Sequence, residues 1–431
     1  MTASSSRKKS LMNSKKSEMP KLELDLQNTE VAFADKSNAE LKKRYWLFRM
    51  MNSESLNSFG TKMAELSLKW HLPVQWAIKA TVFKHFCGGE TIEECESAVE
   101  TLANSNIGAI LDYSVEGRYE EEDFGRTKEE IIRTIKRAAD DERVPFAVFK
   151  VTGIAPLGTL EKVSSGTELT EKGRWKWERI QCRIDDICKT SQSLNQQLFI
   201  DAEETWIQNA IDQLVAEMME KYNRERPLIF NTIQLYRHDR LEFLKKSHQE
   251  AKEKGYFYAV KLVRGAYMEK ERERAAEKGY ADPIQPDKES TDRDYNLALK
   301  YCVENDIAVV CASHNEGSNR YLAELLLENN LLNNHSNSFF SQLYGMSDNL
   351  SYNLAKAGYN VSKYVPYGPI KDTIPYLIRR AQENSSVKGQ MSRELDLISR
   401  NEAAKSLNNL EIFSVLFNDY VLSKMRKCTT K

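Results

Sequence analysis

Polar side chains recur at the ends of short apolar segments through the middle of this chain. Lys150 stands in AVFKVTG, Asp201 in FIDAEE and Lys261 in VKLVRGAY. Such groups are costly inside an apolar core and are expected where a protein binds a polar molecule. Taken singly, Lys150 could extend its ammonium group to solvent or form a Schiff base, and Asp201 could cap the helix expected near Thr205. Their recurrence from segment to segment predicts a polar site.

Two adjacent arginines, Arg379 and Arg380, need a separate explanation. They lie in PYLIRRAQENSSV, which has the pattern of a short amphipathic helix. Neighbouring helical side chains diverge by roughly 100°, so both arginines reach one anion only if it lies over that side of the helix. An isolated pair of arginines is usually solvated, and binding of a small carboxylate is the functional alternative.

The elements that must position these residues are eight apolar runs. Stretches of helical period, such as KEEIIRTIKRAADD and RLEFLKKSHQEAKEKG, lie between them. Buried strands that alternate with helices indicate a parallel sheet, and eight such units predict an α/β fold of the (βα)8 barrel type. A doubly wound sheet is the competing architecture, but no GxGxxG motif opens a helix. In a barrel, the polar residues would gather at the carboxyl ends of the strands. The runs are IGAILDYSVE, PFAVFKVTGI, QLFIDAEE, LIFNTIQLY, FYAVKLVRGAY, IAVVCASHN, SFFSQLY and VSKYVPYG.

Four regions are predicted along the chain. Residues 1–37 read as a basic, polar, disordered tail, with a transit peptide as the alternative. Residues 38–90 form a helical segment, 91–390 the barrel, and 391–431 further helices. The last of these helices is apolar and ends in basic residues, so it either docks on the barrel or lies on a membrane surface.

Composition excludes several classes of protein. The chain has 62 basic and 63 acidic residues, a balance that gives no field for recruiting nucleic acid. Its seven cysteines are scattered without a CxxC pair, which indicates reduced thiols and argues against a structural zinc site. His314 belongs to no spaced histidine set, so we expect no metal. No apolar run reaches the length of a membrane span.

Several cations follow the fifth and sixth runs and suit a phosphate-bearing cofactor. Lys261, Arg264 and Lys288 are of this kind, with Thr291 as a polar residue beside them, since phosphate groups are held by cations and helix N-termini. Gln234 and His314 could contact a heteroaromatic ring. The residues therefore predict a barrel that binds a nucleotide-like anionic cofactor and a small substrate.

At these positions the sequence resembles the proline dehydrogenase family, FAD-dependent enzymes that oxidise L-proline. The resemblance covers most of the span from Gly108 to Val387. Its matching stretches occur in family order and are FKVTG, FIDAEE, NTIQLY, VKLVRGAY, SHN, QLYGMSD, KYVPYG and YLIRRAQEN.

The resemblance implies a site and a reaction. A hydride would pass from C5 of proline to N5 of the flavin, giving Δ1-pyrroline-5-carboxylate, and the electrons would go to a membrane quinone. The residues expected to surround proline are Lys150, Asp201, Tyr267, Leu343, Tyr364, Arg379 and Arg380, with Glu116 nearby. Those expected at FAD are Gln234, Lys261, Val263, Gly265, Ala266, Lys288, Thr291, His314, Asn315, Gln342 and Glu383.

The resemblance also sets expectations for location and domain content. We expect peripheral membrane association at the cytoplasmic face, or a mitochondrial location if the basic start is a transit peptide. The segment between Lys150 and Asp201 is longer than in the bifunctional bacterial members, and the chain has no room for their aldehyde dehydrogenase domain. The alternatives are a flavin barrel of the methylenetetrahydrofolate reductase type and a non-enzymatic binding barrel.

Overall fold

Eight parallel strands close into a barrel, so the predicted (βα)8 fold is confirmed. A computed structural model of the chain describes residues 22, 24–51, 79–115, 120–386 and 395–399. Each strand pairs with the next along the chain, and the last pairs with the first. The strands are β1 Ile107–Tyr113, β2 Phe146–Lys150, β3 Gln197–Asp201, β4 Ile229–Gln234, β5 Ala259–Val263, β6 Ala308–Ala312, β7 Ser338–Leu343 and β8 Val361–Tyr367.

Helices precede the barrel, connect its strands and follow the last strand. Two short turns of other helical type, Lys79–Phe83 and Glu93–Cys95, lead into α3 and α4. The long β2–β3 connection noted in the sequence forms two helices, α6 and α7. The helices are α1 Thr29–Ala32, α2 Asn38–Met51, α3 Lys84–Phe86, α4 Glu96–Ala103, α5 Glu121–Ala139, α6 Leu157–Ser164, α7 Glu171–Ser193, α8 Thr205–Tyr222, α9 Arg240–Lys254, α10 Met268–Lys278, α11 Lys288–Glu304, α12 Glu316–Glu328, α13 Asp348–Lys356 and α14 Ile370–Ser386, and residues 395–399 are also helical.

Aromatic rings fill the amino-terminal half of the barrel interior. Phe146 of β2 stacks on Phe199 of β3 with 4.3 Å between ring centroids, and Phe339 meets Phe146 edge-on at 4.9 Å. Side chains two or four residues apart on a strand share a face. Lys150 and Asp201 therefore lie on the same inner face as the phenylalanines, at the carboxyl ends of their strands. The aromatic layer thus lies on the amino-terminal side of these two charged side chains.

Part of the predicted tail is ordered, so the boundary at residue 37 is wrong. Leu26 is fully buried, and its carbonyl oxygen accepts a hydrogen bond from Asn349 of α13 at 2.9 Å. The side chain of Asn28 caps α1. Arg44 of α2 forms an ion pair with Asp348 of α13 at 2.5 Å. The few apolar residues of this segment are buried by packing against residues more than 300 positions later, which a local sequence pattern does not reveal.

The predicted boundary between residues 390 and 391 lies outside the described residues, and so do residues 52–78 of the predicted helical segment. Of the C-terminal region from 391 to 431, the structure describes residues 395–399, where Leu397 and Ile398 are buried against the same cluster as Phe48 of α2. Across the described ranges, no helix combines the length and apolar character needed to cross a membrane.

Candidate active site

Four charged side chains and a tyrosine form a compact cluster at the carboxyl end of the barrel. Lys150 Nζ donates to the two carboxylate oxygens of Asp112 at 3.2 and 3.1 Å and to the Tyr364 hydroxyl at 2.9 Å. The Tyr364 hydroxyl donates to Asp201 Oδ2 at 2.8 Å. Asp201 is also ion-paired with Lys261, and its Oδ2 lies 3.4 Å from Lys150 Nζ. Barrel closure thus joins β1, β2, β3, β5 and β8 in one network.

The cluster keeps Asp201 ionised although it is buried. Burial by itself would raise the pKa of Asp201, but the charges of Lys261 and Lys150 and the hydrogen bonds from Lys261 and Tyr364 lower it to about 2. The cap suggested for Asp201 is wrong, because Glu204 is the residue at the start of α8. Lys150 lies against two carboxylates, an arrangement suited to an ammonium ion and unsuited to a neutral Schiff-base nucleophile.

The adjacent arginines of α14 face the site. The guanidinium carbon of Arg379 lies 5.7 Å from the ring centroid of Tyr267, which directly follows the β5 turn. Arg380 is buried, with 7% of its surface exposed, and its guanidinium group stacks near the Tyr376 ring. Its positive charge adds to burial in lowering the pKa of His314, which follows β6. The helix therefore directs both arginines over the carboxyl ends of β5 and β6, and simple solvation does not describe them.

Two features stand at the carboxyl ends of β4 and β5. One is a buried hydrogen-bond acceptor, and the other is a glycine packed closely against a tyrosine ring. Gln234 Nε2 donates to the Glu203 carbonyl at 3.0 Å, whereas Gln234 Oε1 is buried and has no hydrogen-bond partner among the described residues. Gly265 has φ of 137°, and a Cβ there would lie 2.5 Å from the Tyr236 ring. Val263, the register partner of Gln234, ends β5. An acceptor without a partner suits a ring N–H, as a flavin offers, whereas Gly265 is required by the close packing of the Tyr236 ring.

Arg264 holds the next part of the site together. Its Nε donates to Asp292 at 2.8 Å, and its terminal nitrogens donate to the hydroxyls of Ser313 at 2.6 Å and Ser318 at 2.9 Å. Ser318 lies in the first turn of α12, where backbone N–H groups favour anions. Lys288 pairs with the same Asp292 carboxylate. These contacts hold Arg264 beside the first turn of α12.

The polar residues after β6 and β7 are fixed by hydrogen bonds. His314 Nδ1 lies 2.9 Å from the Ser347 hydroxyl, and burial with nearby positive charge lowers the pKa of His314 to about 3, so the ring is neutral near pH 7. The Asn315 side chain accepts from the Ser318 N–H and caps α12. Gln342 Nε2 donates to the Ser313 carbonyl at 3.1 Å. These contacts fix the side chains of His314, Asn315 and Gln342 within the protein. Of the three, His314 has a ring that could stack on a cofactor.

The remaining predicted residues occupy different surroundings. Leu343 ends β7 opposite Tyr364, next to the charged cluster. Ala266 lies in the turn after β5, and Thr291 is buried in the first turn of α11. Glu116 lies outside the described residues, and Glu383 belongs to α14 but its side chain is not described.

Two acidic residues of this region, Asp112 and Glu203, are not among the residues predicted from the sequence. Asp112 supplies the counter-charge to Lys150, and Glu203 accepts hydrogen bonds from Thr152. Both stand at strand ends, so the signal was present, but the partner of each comes from another strand. In the described part of the chain, no three histidine, cysteine or acidic side chains are grouped to hold a metal ion.

Comparison with known proteins agrees with this geometry. The family model described as proline dehydrogenase matches residues 95–393. The carbapenem antibiotics biosynthesis protein CarD of Pectobacterium carotovorum subsp. carotovorum is 35% identical over 318 residues, which are 73% of this chain and 82% of that protein. The mitochondrial proline dehydrogenase 1 of Dictyostelium discoideum is 31% identical over 419 residues, 86% of this chain and 73% of that protein.

A solved structure supports the fold independently. Proline utilization A from Bdellovibrio bacteriovorus, inactivated by N-propargylglycine, superposes with a TM-score of 0.69 at 18% identity. The match covers 87% of this chain and 44% of that longer chain. The family match spans the whole barrel and includes every element of the charged cluster. This chain belongs to the proline dehydrogenase family.

Proposed function

We propose that the chain oxidises L-proline to Δ1-pyrroline-5-carboxylate with FAD as the bound redox cofactor. As a member of its family, the chain is an oxidoreductase that acts on proline. The observation that carries the detailed proposal is the position of Arg379 and Arg380, which lie near Tyr267 and His314 at the same end of the barrel as the Lys150–Asp201 network. A zwitterionic imino acid needs both a cationic carboxylate site and a polar pocket for its ring nitrogen.

The arginines would bind the proline carboxylate. Two planar guanidinium groups match the two oxygens of a carboxylate, and partial burial strengthens such charge-assisted bonds. The ring would then lie between Tyr267, Leu343 and Tyr364, which supply apolar surface. Fixing the carboxylate at one end orients C5 at the other, and this orientation is a main contribution that a protein makes to hydride transfer.

The charged cluster would shape the pocket opposite the arginines. Lys150 and Asp201 compensate each other, so the cavity holds polar groups without a large net charge. Tyr364 is fixed between them by hydrogen bonds to both, which limits where the ring of the substrate can lie. A rigid, paired network of this kind costs no reorganisation when the substrate binds.

The residues around Gln234 and Arg264 would hold the cofactor. FAD, when bound, supplies the acceptor for the hydride from C5, and the proton on the proline nitrogen is released to solvent. Gln234 would accept from a flavin N–H, Gly265 and Ala266 would contact the ring through backbone, and Arg264 would face phosphate. The remaining proposed contacts are Lys261, Val263, Lys288, Thr291, His314, Asn315, Gln342 and Glu383, and Glu116 is proposed near the substrate.

A membrane quinone is the proposed acceptor of electrons from the reduced cofactor. The contact with the membrane would be peripheral. For location we propose the two alternatives already given, and the mitochondrial name of the Dictyostelium relative supports the second. Reduction of a soluble ubiquinone analogue by the purified protein and proline tests the acceptor, and no reduction would contradict it.

The substrate and product can be tested together. The purified protein, supplied with FAD, should convert L-proline to a product that forms the yellow adduct of Δ1-pyrroline-5-carboxylate with o-aminobenzaldehyde. A nicotinamide donor should leave the flavin oxidised. Reduction by the nicotinamide and inertness to proline would instead favour the methylenetetrahydrofolate reductase type, and absence of any flavin binding would favour a non-enzymatic barrel.

A further inference from the structure

Glu203 is a buried carboxyl group to which the proposed reaction assigns no task. It stands two residues beyond Asp201, just past the end of β3, with 3% of its surface exposed. Its Oε1 accepts from the Thr152 backbone N–H at 3.0 Å, and its Oε2 accepts from the Thr152 hydroxyl. We call this pair of contacts the Glu203–Thr152 clasp.

The clasp begins where the sheet ladder between β2 and β3 ends. The last register pair of these strands is Lys150 with Asp201. Thr152 belongs to the single helical turn Val151–Gly153 that starts directly after Lys150. The first N–H groups of a helical turn have no partner within it, and the Glu203 carboxyl supplies one. Lys150 is therefore held between the ladder on one side and the clasp on the other.

The backbone of Glu203 is fixed as firmly as its side chain. Its N–H donates to Gln208 Oε1 at 2.8 Å, and Gln208 Nε2 donates to Asp212 Oδ1 at 3.1 Å. Asp212 forms a buried ion pair with Arg240 at 2.8 Å. The Glu203 carbonyl accepts from Gln234 Nε2, and this bond leaves Gln234 Oε1 directed elsewhere. One residue thus connects the strand end that bears Lys150 with the amide proposed to face the cofactor.

We propose that Glu203 is a positioning residue for the reaction, which fixes Lys150 through the Glu203–Thr152 clasp and orients Gln234 through its carbonyl. The inference rests on the proposed function, because it assigns Glu203 a part in placing residues of that site. Glu203 itself contacts neither substrate nor cofactor in this account. Small displacements matter here, since a shift of about 1 Å in a supporting residue can cost about 100-fold in rate.

The ionisation of Glu203 should make the rate depend on pH, which a purely structural contact would not do. Burial, and then the neighbouring charge of Glu204, raise the pKa of Glu203 to about 8, against the Thr152 hydrogen bonds and the positive charge of Lys150. Glu204 is itself paired with Lys270 of α10. The Glu203 carboxyl therefore loses its proton at a higher pH than an ordinary glutamate does. It gains a negative charge beside Lys150 as the pH rises past about 8.

Two substitutions of Glu203 and a control test its role. Glu203→Ala removes both contacts and should lower kcat with proline by about 10- to 100-fold, with a smaller change in KM. Glu203→Gln keeps an acceptor for the Thr152 N–H and should retain kcat within about threefold. Its pH profile should lack the ionisation near pH 8 that wild type shows. Glu253→Ala, which removes an exposed carboxyl on α9, should match wild type in every measurement.

Coupling to Thr152 decides whether the carboxyl acts through the clasp. Thr152→Val removes the hydroxyl but not the N–H, so it should lower kcat less than Glu203→Ala does. The double variant should be no slower than Glu203→Ala alone, because both changes remove the same contact. If Glu203→Ala does not fold, Glu203→Gln and Thr152→Val still test the clasp through the pH profile and kcat.

The possible failures are distinguishable. A wild type that binds FAD but does not oxidise proline overturns the proposed function, and the role of the clasp with it. An active wild type whose Glu203→Ala variant keeps full kcat and the same pH profile overturns the clasp alone. Full independence of the Thr152 and Glu203 effects would also overturn it.

Discussion

Replacing Arg380 by methionine is expected to weaken binding of proline while leaving FAD bound. Arg380 is buried, so water would not take the place of its guanidinium group beside the carboxylate that we propose it binds. Removing one partner of a buried charged pair costs about 2 to 5 kcal/mol. This free energy corresponds to about 30-fold to several-thousand-fold in affinity. Arg379 is more exposed, so Arg379→Met should fall at the lower end of that range.

The assay separates binding from chemistry. Tetrahydro-2-furoate keeps the ring and carboxylate of proline but lacks the amine, so its dissociation constant can be titrated through the flavin absorbance without turnover. Its affinity and the KM for proline should change in parallel, with kcat affected less. Arg226→Met removes an exposed arginine at the opposite end of the barrel and serves as the control. If both active-site variants bound the analogue as tightly as wild type, the arginines would not be the carboxylate site.

Further expectations concern the charged cluster. Asp201→Asn removes the carboxylate that pairs with both Lys150 and Lys261, while Asp112 still pairs with Lys150. It should lower the free energy of unfolding, measured in urea, by about 3 to 5 kcal/mol. An unchanged free energy would contradict the ion pairing. Borohydride with substrate should leave no adduct on Lys150 by mass spectrometry, and an adduct there would favour the Schiff-base alternative. The lowered pKa of Asp201 contributes stability that is present above its unfolded value of 3.8 and lost as pH falls toward about 2, so wild type should approach Asp201→Asn in stability there. The raised pKa of Glu203 contributes to folding stability. This contribution is fully present below the unfolded pKa of 4.5 and is lost as the pH rises through about 8. The denaturation temperature of Glu203→Gln should therefore change less between pH 6 and 9 than that of wild type.

The barrel and much of the cluster were predictable from local patterns. Apolar runs bounded by helical stretches gave all eight strands, because parallel strands buried on both faces must be continuously apolar. The alternation of side chains along a strand then carried Lys150 and Asp201 to the inner face. Their position at strand ends needed no knowledge of which strands are neighbours.

The partners of these residues could not be predicted in the same way. Asp112 meets Lys150 only because β1 and β2 lie side by side in the sheet, and the role of Glu203 depends on a turn beyond the neighbouring strand. The ordered segment around Leu26 likewise owes its structure to α13, more than 300 residues later. Helix caps were also hard to predict from the sequence. The cap considered for Asp201 at α8 is absent, whereas Asn315, expected at the cofactor, caps α12.

The visible spectrum of the purified protein before and after anaerobic addition of L-proline tests the central claim most directly. The account predicts the absorbance of an oxidised flavin, which proline bleaches with formation of one Δ1-pyrroline-5-carboxylate for each flavin reduced. D-Proline, whose carboxylate points to the other face of the ring, is the matched control and should bleach the flavin far more slowly. A protein that holds FAD but keeps its oxidised spectrum in excess L-proline would contradict the account.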